Sequence, residues 1–197
     1  MRKGIVSCLL FVVLVHLSGI VYAAHKMAVE FSADVIEIYP KDPSKNFKGT
    51  IHVNKDIMWK DFFHDNQRAV IILDLIKQTA WMLMPAAKTY QVMEEGEMRG
   101  LFGHEIGHIP NPLADGPCGG RRDLTCRELG SEKIEGRDTE KWEVKYQTGI
   151  VYQWVDHRLK ITIREEFPDH IYELRNIKEG HQPDNLFQVP AEYKKVQ

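Results

Sequence analysis

Apolar and polar residues alternate with a period of two along most of the chain, the pattern of strands with one face buried. In Ala28–Ile38, Val29, Phe31, Ala33 and Val35 share one face, and Glu30, Ser32 and Asp34 the other. Ile36 and Ile38 then change phase, which predicts a bulge or an exit bend. Pro40, Asp42 and Pro43 make the next turn. Phe47–Val53 alternates again, with Phe47, Ile51 and Val53 opposite Lys48, Thr50 and His52. Further strands are predicted at Ile57–Phe63, Val70–Leu75, Thr79–Met84, Arg127–Ile134, Lys141–Tyr146, Ile150–Val155, Ile161–Phe167 and Ile171–Ile177. Turns are expected at Glu135–Arg137, Thr148-Gly149 and Pro168-Asp169. About ten strands at this spacing, with no alternating β and α blocks, predict a mainly β, antiparallel, single-domain fold and exclude a parallel doubly wound one.

Two runs break the alternation. Val70–Leu75 and Thr79–Met84 are apolar on both faces, with Trp81 and Leu83 on one side and Met82 and Met84 on the other. A sheet with one face in water does not carry such strands, so a helix, a second sheet or a ligand must cover the other face. Methionine thioethers suit an adaptable apolar site; ordinary core filling is the alternative. Met93–Phe102 is the best helix candidate, although two glycines interrupt it. Gly103–Thr125 is rich in Gly and Pro and reads as loop, so residues 91–125 form a loop-rich insertion. Leu186, Phe187, Val189 and Tyr193 are expected to anchor the tail.

Residues 1–23 have the form of a secretory signal peptide: Arg2 and Lys3, an apolar Ile5–Leu17, and a small-residue cleavage site at Val21-Tyr22-Ala23. The apolar run is short for a membrane span, which needs roughly 20 residues. Cleavage near Ala23 leaves residues 24–197 as one domain in the periplasm, with no later segment able to span a bilayer. The whole chain has a formal net charge of −2, and losing Arg2 and Lys3 takes it to about −4. No basic stripe is present for nucleic acid and no polybasic patch for anionic lipid. Two cysteines remain after cleavage, Cys118 and Cys126. In an oxidising compartment they most simply pair as a local disulfide; a free redox-active pair is the alternative.

One stretch has the letters of a catalytic motif. His104-Glu105-Ile106-Gly107-His108 matches H-E-x-x-H, in which two histidines one helical turn apart bind Zn²⁺ and the glutamate acts as general base. The context argues against it. Gly107 lies inside the motif, and Pro110 and Pro112 follow at once. Ala114 stands where the extended form needs a third histidine, and Glu128 and Glu132, which could supply the ligand of the other form, fall in a predicted strand. A surface loop with two histidines is favoured, and a zinc metallohydrolase using His104, Glu105 and His108 is the alternative. No cofactor is otherwise implied.

Further motifs carry a family resemblance. They are Gly49, Ile51 and Val53; Ile71, Ile72 and Asp74; and Trp81, Pro85, Lys88 and Tyr90. The later half adds Gly136, Lys141-Trp142-Glu143-Val144, Trp154-Val155-Asp156 with Leu159, Arg164-Glu165, Tyr172-Glu173-Leu174 and Leu186–Pro190. Together they resemble the LolA/LolB-like periplasmic lipoprotein-carrier superfamily, most closely its DUF4412-type outer-membrane lipoprotein-sorting relatives. Trp59, with Lys60 beside it, stands where these relatives usually place an arginine. The resemblance implies a curved antiparallel half-barrel that binds lipid acyl chains or a lipoprotein without catalysis. A protein-binding scaffold or sensor that engages another envelope protein through a sheet edge is a further alternative. By face and size, the candidate apolar groove residues are Trp59, Phe63, Trp81, Leu83, Trp142 and Trp154.

Overall fold

The computed structural model describes residues 29–64, 67–74, 76–77, 79–93, 117–118, 124–147 and 149–196. Their strands are β1 (Phe31–Ile38), β2 (Phe47–Val53), β3 (Ile57–His64), β4 (Gln67–Asp74), β5 (Thr79–Met84), β6 (Thr89–Met93), β7 (Thr125–Ile134), β8 (Arg137–Tyr146), β9 (Gly149–Asp156), β10 (Thr162–Glu166), β11 (Ile171–Glu179) and β12 (Lys194–Lys195). All twelve belong to one sheet in the order β12-β6-β5-β4-β3-β2-β1-β11-β10-β9-β8-β7. Every pairing is antiparallel except the short parallel contact of β12 with β6. The edge strands β12 and β7 do not pair with each other, so the sheet stays open.

The alternation places β2 and β5 to the residue and most of the others to within a few. Two strands escape it. β6 follows the turn at Pro85–Lys88 and carries too few alternating positions to stand out, and β12 is two lysines. The irregularity expected near Ile36 lies instead between Ser32 and Asp34, where β11 carries one extra residue beside Asn176, whose φ is +52°. The two-faced character of β4 and β5 also has its cause. On one face, called here the core face, Ala69, Ile71, Leu73, Ala80 and Met82 join Phe31, Val35, Ile51, Phe62, Ile163 and Leu174 in the main cluster. On the other, the tail face, Val70, Ile72 and Leu83 pack with Ile57, Trp59, Trp81 and Tyr90, and the chain's own Val189 and Tyr193 lie against them.

Gly49 shows how tightly β2 and β3 are joined. Their ladder runs from Val53–Met58 to Ile51–Lys60, and beyond it the Asp61 carboxylate accepts the Thr50 backbone N–H. Asp61 is held from outside by Arg68 at 3.0 Å. A Cβ at Gly49 would collide with Asp61 Oδ1 and the Phe47 ring. Gly49→Ala is therefore expected to lower stability by about 1–3 kcal/mol, the usual cost of overpacking, as read from the urea midpoint.

Asp156 organises the turn that brings Leu159 into the core. Its Oδ1 accepts the backbone N–H groups of Arg158 at 2.8 Å and Leu159 at 2.7 Å, and its Oδ2 takes Arg137 Nε. Leu159 is 1% exposed within the main cluster. The Trp-Val-Asp-x-x-Leu spacing is thus a turn signature with a physical cause.

Candidate functional site

Each candidate groove residue has a definite place. Trp59, Trp81 and Leu83 sit together on the tail face, joined through register: Trp59 faces Ile72, Ile72 faces Trp81, and Leu83 faces Val70. The tail residues Val189 and Tyr193 close over this cluster, and the 3-10 turn Asp184–Phe187 rests near β3. Phe63 stands at the end of β3, half exposed and edge-on to Phe47 at 5.1 Å. Trp154 is also on the tail face but among different neighbours. Lys141 Nζ lies 4.5 Å from its ring centroid and Arg164 Cζ 5.3 Å, and its Nε1–H donates to Glu132 Oε1. Trp142 lies on the opposite, core face, across from Gln153. The six therefore do not line one surface.

The tail face is covered over β3–β6, where Val189 and Tyr193 pack on it, and carries ion pairs on β10 and β11. Arg164 bonds Glu173 at 3.0 Å and also Glu166, and Arg175 bonds Glu173 at 3.1 Å.

The core face divides into two kinds of surface. On β2–β6 it is apolar and carries the methionines of the described strands, Met58, Met82, Met84 and Met93. From β1 to β7 it carries one continuous cross-strand row: Glu37 faces Tyr172, Tyr172 faces Glu165, Glu165 faces Gln153, Gln153 faces Trp142, and Trp142 faces Glu128. Gln153 Nε2 donates to Glu165 Oε1 at 2.5 Å and more distantly to the Tyr146 hydroxyl. Glu165 is 1% exposed, and so is Asp156. Glu165 is held by its cross-strand partners, and Asp156 by the turn that it accepts from. The row grades outward, from buried Tyr172 and Glu165 through half-buried Trp142 to exposed Glu128 at the β7 edge.

Lys60 meets this row from the apolar side. It is fully buried, 3.9 Å from Glu37 and over the Tyr172 ring at 5.2 Å. Burial pushes its ammonium down to about 8, against the raising pull of Glu37, Asp61 and Glu165. An unfolded lysine keeps its proton to about pH 10.4. Between about pH 8 and pH 10 the unfolded chain thus binds more protons, and stability rises with pH. Burial holds the Tyr172 phenol well above its ordinary value, so above pH 10 the unfolded tyrosine ionises first and the trend reverses. Wild type is expected to gain on the order of 2 kcal/mol over Lys60→Met between pH 7.5 and pH 10, in urea titrations at both pH values. A constant gap would contradict this.

Cys118 and Cys126 form a disulfide with Cα atoms 5.9 Å apart. It ties the chain before β7 to the core face, where Cys126 faces Val144. His104, Glu105 and His108 lie outside the described residues, as do residues 1–23 and, of the helix expected at Met93–Phe102, residues 94–102; Met93 itself ends β6. Glu128 and Glu132 are in a strand, β7, and so are not the downstream helical ligands of a zinc site. Among the described residues no group of three His, Cys, Asp or Glu side chains is placed to hold a metal ion, and no helix is long and apolar enough to cross a membrane.

No family model matches the chain, and no curated protein matches it. Solved structures do. An uncharacterised conserved protein from Thermus thermophilus matches with a TM-score of 0.57 at 8% identity, over 86% of this chain and 90% of that one. MucB of Pseudomonas aeruginosa, in its complex with MucA, matches at 0.53 and 9% identity, over 85% of this chain and 58% of MucB. PNGF-II matches at 0.53 and 9%, over 85% of this chain but only 31% of that protein. The chain thus spans little more than half of MucB and a third of PNGF-II. These likenesses define the class of fold, an open antiparallel sheet of this topology. LolA-superfamily structures are among the neighbours too, with a TM-score of 0.29 and 10% identity for the one from Nitrosomonas europaea.

Proposed function

We propose that residues 24–197 form a periplasmic, non-catalytic binding protein that holds the acyl chain of a lipid or lipoprotein against the core face of its open sheet. The observation that carries this reading is the convergence of Met58, Met82, Met84 and Met93 on the apolar half of the core face, while the tail packs on the other side of β3–β6. Flexible thioethers remould around an inserted chain at little cost. Burial yields about 0.8 kcal/mol per CH₂, so a 16-carbon chain gains roughly 12 kcal/mol before costs. The polar row beside the apolar half suits the other end of an amphiphile. Of the six candidate residues, Trp142 alone faces this site, and Trp59, Trp81 and Leu83 serve the tail. Titrating delipidated protein with pyrene-labelled phosphatidylglycerol tests the reading. Saturable uptake near one equivalent is expected, and unsaturable partition would contradict it.

A second reading has its own observation. β7 is a ten-residue edge strand with mostly exposed side chains, and MucB has been solved in complex with MucA. A protein-binding sensor would add a partner strand there, in the manner of sheet extension.

A further inference from the structure

We propose that the Trp142 indole N–H hydrogen-bonds the carbonyl oxygen of an acyl ester or amide, and so reads the head of the bound chain. The inference rests on the acyl-binding reading and adds to it the chemical group that is recognised.

Trp142 Nε1 is buried and has no hydrogen-bond partner among the described residues. An indole nitrogen only donates, and a buried donor left without an acceptor costs about 1–3 kcal/mol. Such a group calls for an explanation, a missing ligand among them. The neighbouring strand shows that this chain can satisfy a tryptophan when it needs to. Trp154 Nε1 donates to Glu132 Oε1 across two strands. Trp142 has a glutamate, Glu128, directly opposite in register, yet its N–H is left unmatched.

Its place on the core face fits a carbonyl. On one side are Val144 and Val151, paired with each other and 0% and 5% exposed. On the other are Gln153 and Glu165, already bonded to each other. The unmatched donor thus stands where buried apolar packing on the core face meets the polar row. In an acyl lipid, the atom at that junction is the carbonyl oxygen, an acceptor without charge. A charged phosphate or carboxylate oxygen at the indole itself would lie in the same row as Glu128 and Glu165, which oppose an anion at that position.

The test compares phosphatidylglycerol with ester-linked chains and its ether-linked analogue, which has the same chains and head but no carbonyl. The wild-type chain is expected to bind the ester three- to tenfold more tightly, the range of one neutral hydrogen bond. Trp142→Phe, which keeps the ring and removes the donor, is expected to bind both equally. Equal binding of ester and ether by wild type would overturn the inference and leave the acyl-binding reading standing. So would an ester preference that survives in Trp142→Phe. Failure to bind either lipid would overturn the acyl-binding reading itself. The wild-type comparison alone decides the matter if the variant does not fold. An N-palmitoyl glycine amide probe separates the two sources. Tighter binding than the ester lipid points to an acylated protein, and weaker binding points to a free lipid.

Discussion

Replacing Asp156 by alanine is expected to lower stability by about 3–5 kcal/mol, the range for breaking a buried charge pair by removing one partner. Asp156 ends β9, its carboxylate holds the turn at Arg158 and Leu159, and it pairs with Arg137 of β8. Arg137 in turn bonds Glu179 of β11 at 2.7 Å, and Arg158 reaches the same glutamate at 2.8 Å. Alanine would take one of two carboxylate partners from the Arg137 guanidinium, which is four-fifths buried, and release Leu159 from the core. A fall in melting temperature of roughly 10 °C follows for a domain of this size.

The same carboxylate sets a pH dependence. Burial raises its pKa, but hydrogen bonds from Arg137, Leu159 and Arg158, with the charge of Arg137, outweigh this and hold it below the ordinary value. A depressed carboxylate contributes stability that is full above its unfolded value, about 3.9, and lost as pH falls through the lower folded value. Asp156→Asn keeps an acceptor for the turn and removes the charge. Its deficit relative to wild type should be constant from pH 7 to pH 5 and shrink below pH 4. A deficit that grows in acid would contradict the assignment.

Deleting residues 184–197 is the second change with a large expected effect. It removes Phe187, Val189 and Tyr193 and leaves Trp59, Trp81, Leu83 and Tyr90 open to water. Burying each large apolar side chain is worth about 1.5–3 kcal/mol, so a loss on the order of 5 kcal/mol is expected. It also frees the β6 edge, where Lys194 N donates to Lys88 O at 2.9 Å and Val196 N to Tyr90 O at 2.8 Å. Red-shifted tryptophan emission and stronger binding of an apolar dye should accompany the loss. Unchanged emission would mean that the tail does not seal the cluster.

These features mark how far the sequence could be read. Alternation located the strands because a period of two survives wherever one face is buried, and the apolar doubling of β4 and β5 announced a cover. The anchors Leu186, Phe187, Val189 and Tyr193 were visible, but not that Val189 and Tyr193 are that cover, since nothing local ties them to residues a hundred positions away. The groove list was split by register. The turn after Tyr146 pairs it with Gly149, which sets Trp142 against Gln153 and Trp154 against Lys141, so the two tryptophans face opposite ways. That could have been worked out from the loop length. The buried row through Glu165 could not, because alternation assigns a side and says nothing of what packs there. The disulfide was legible from the number of cysteines and the expected compartment, and it is formed.

The most direct test is the native mass of the protein purified from its own cell envelope, before and after mild organic extraction. The account predicts extra mass in the lipid range that disappears on extraction, with a value that begins to name the ligand. A bare polypeptide mass in both spectra would contradict it and favour a protein-binding role at the sheet edge. A stoichiometric zinc-sized increment, lost only with chelator, would contradict it in favour of metal chemistry at His104 and His108.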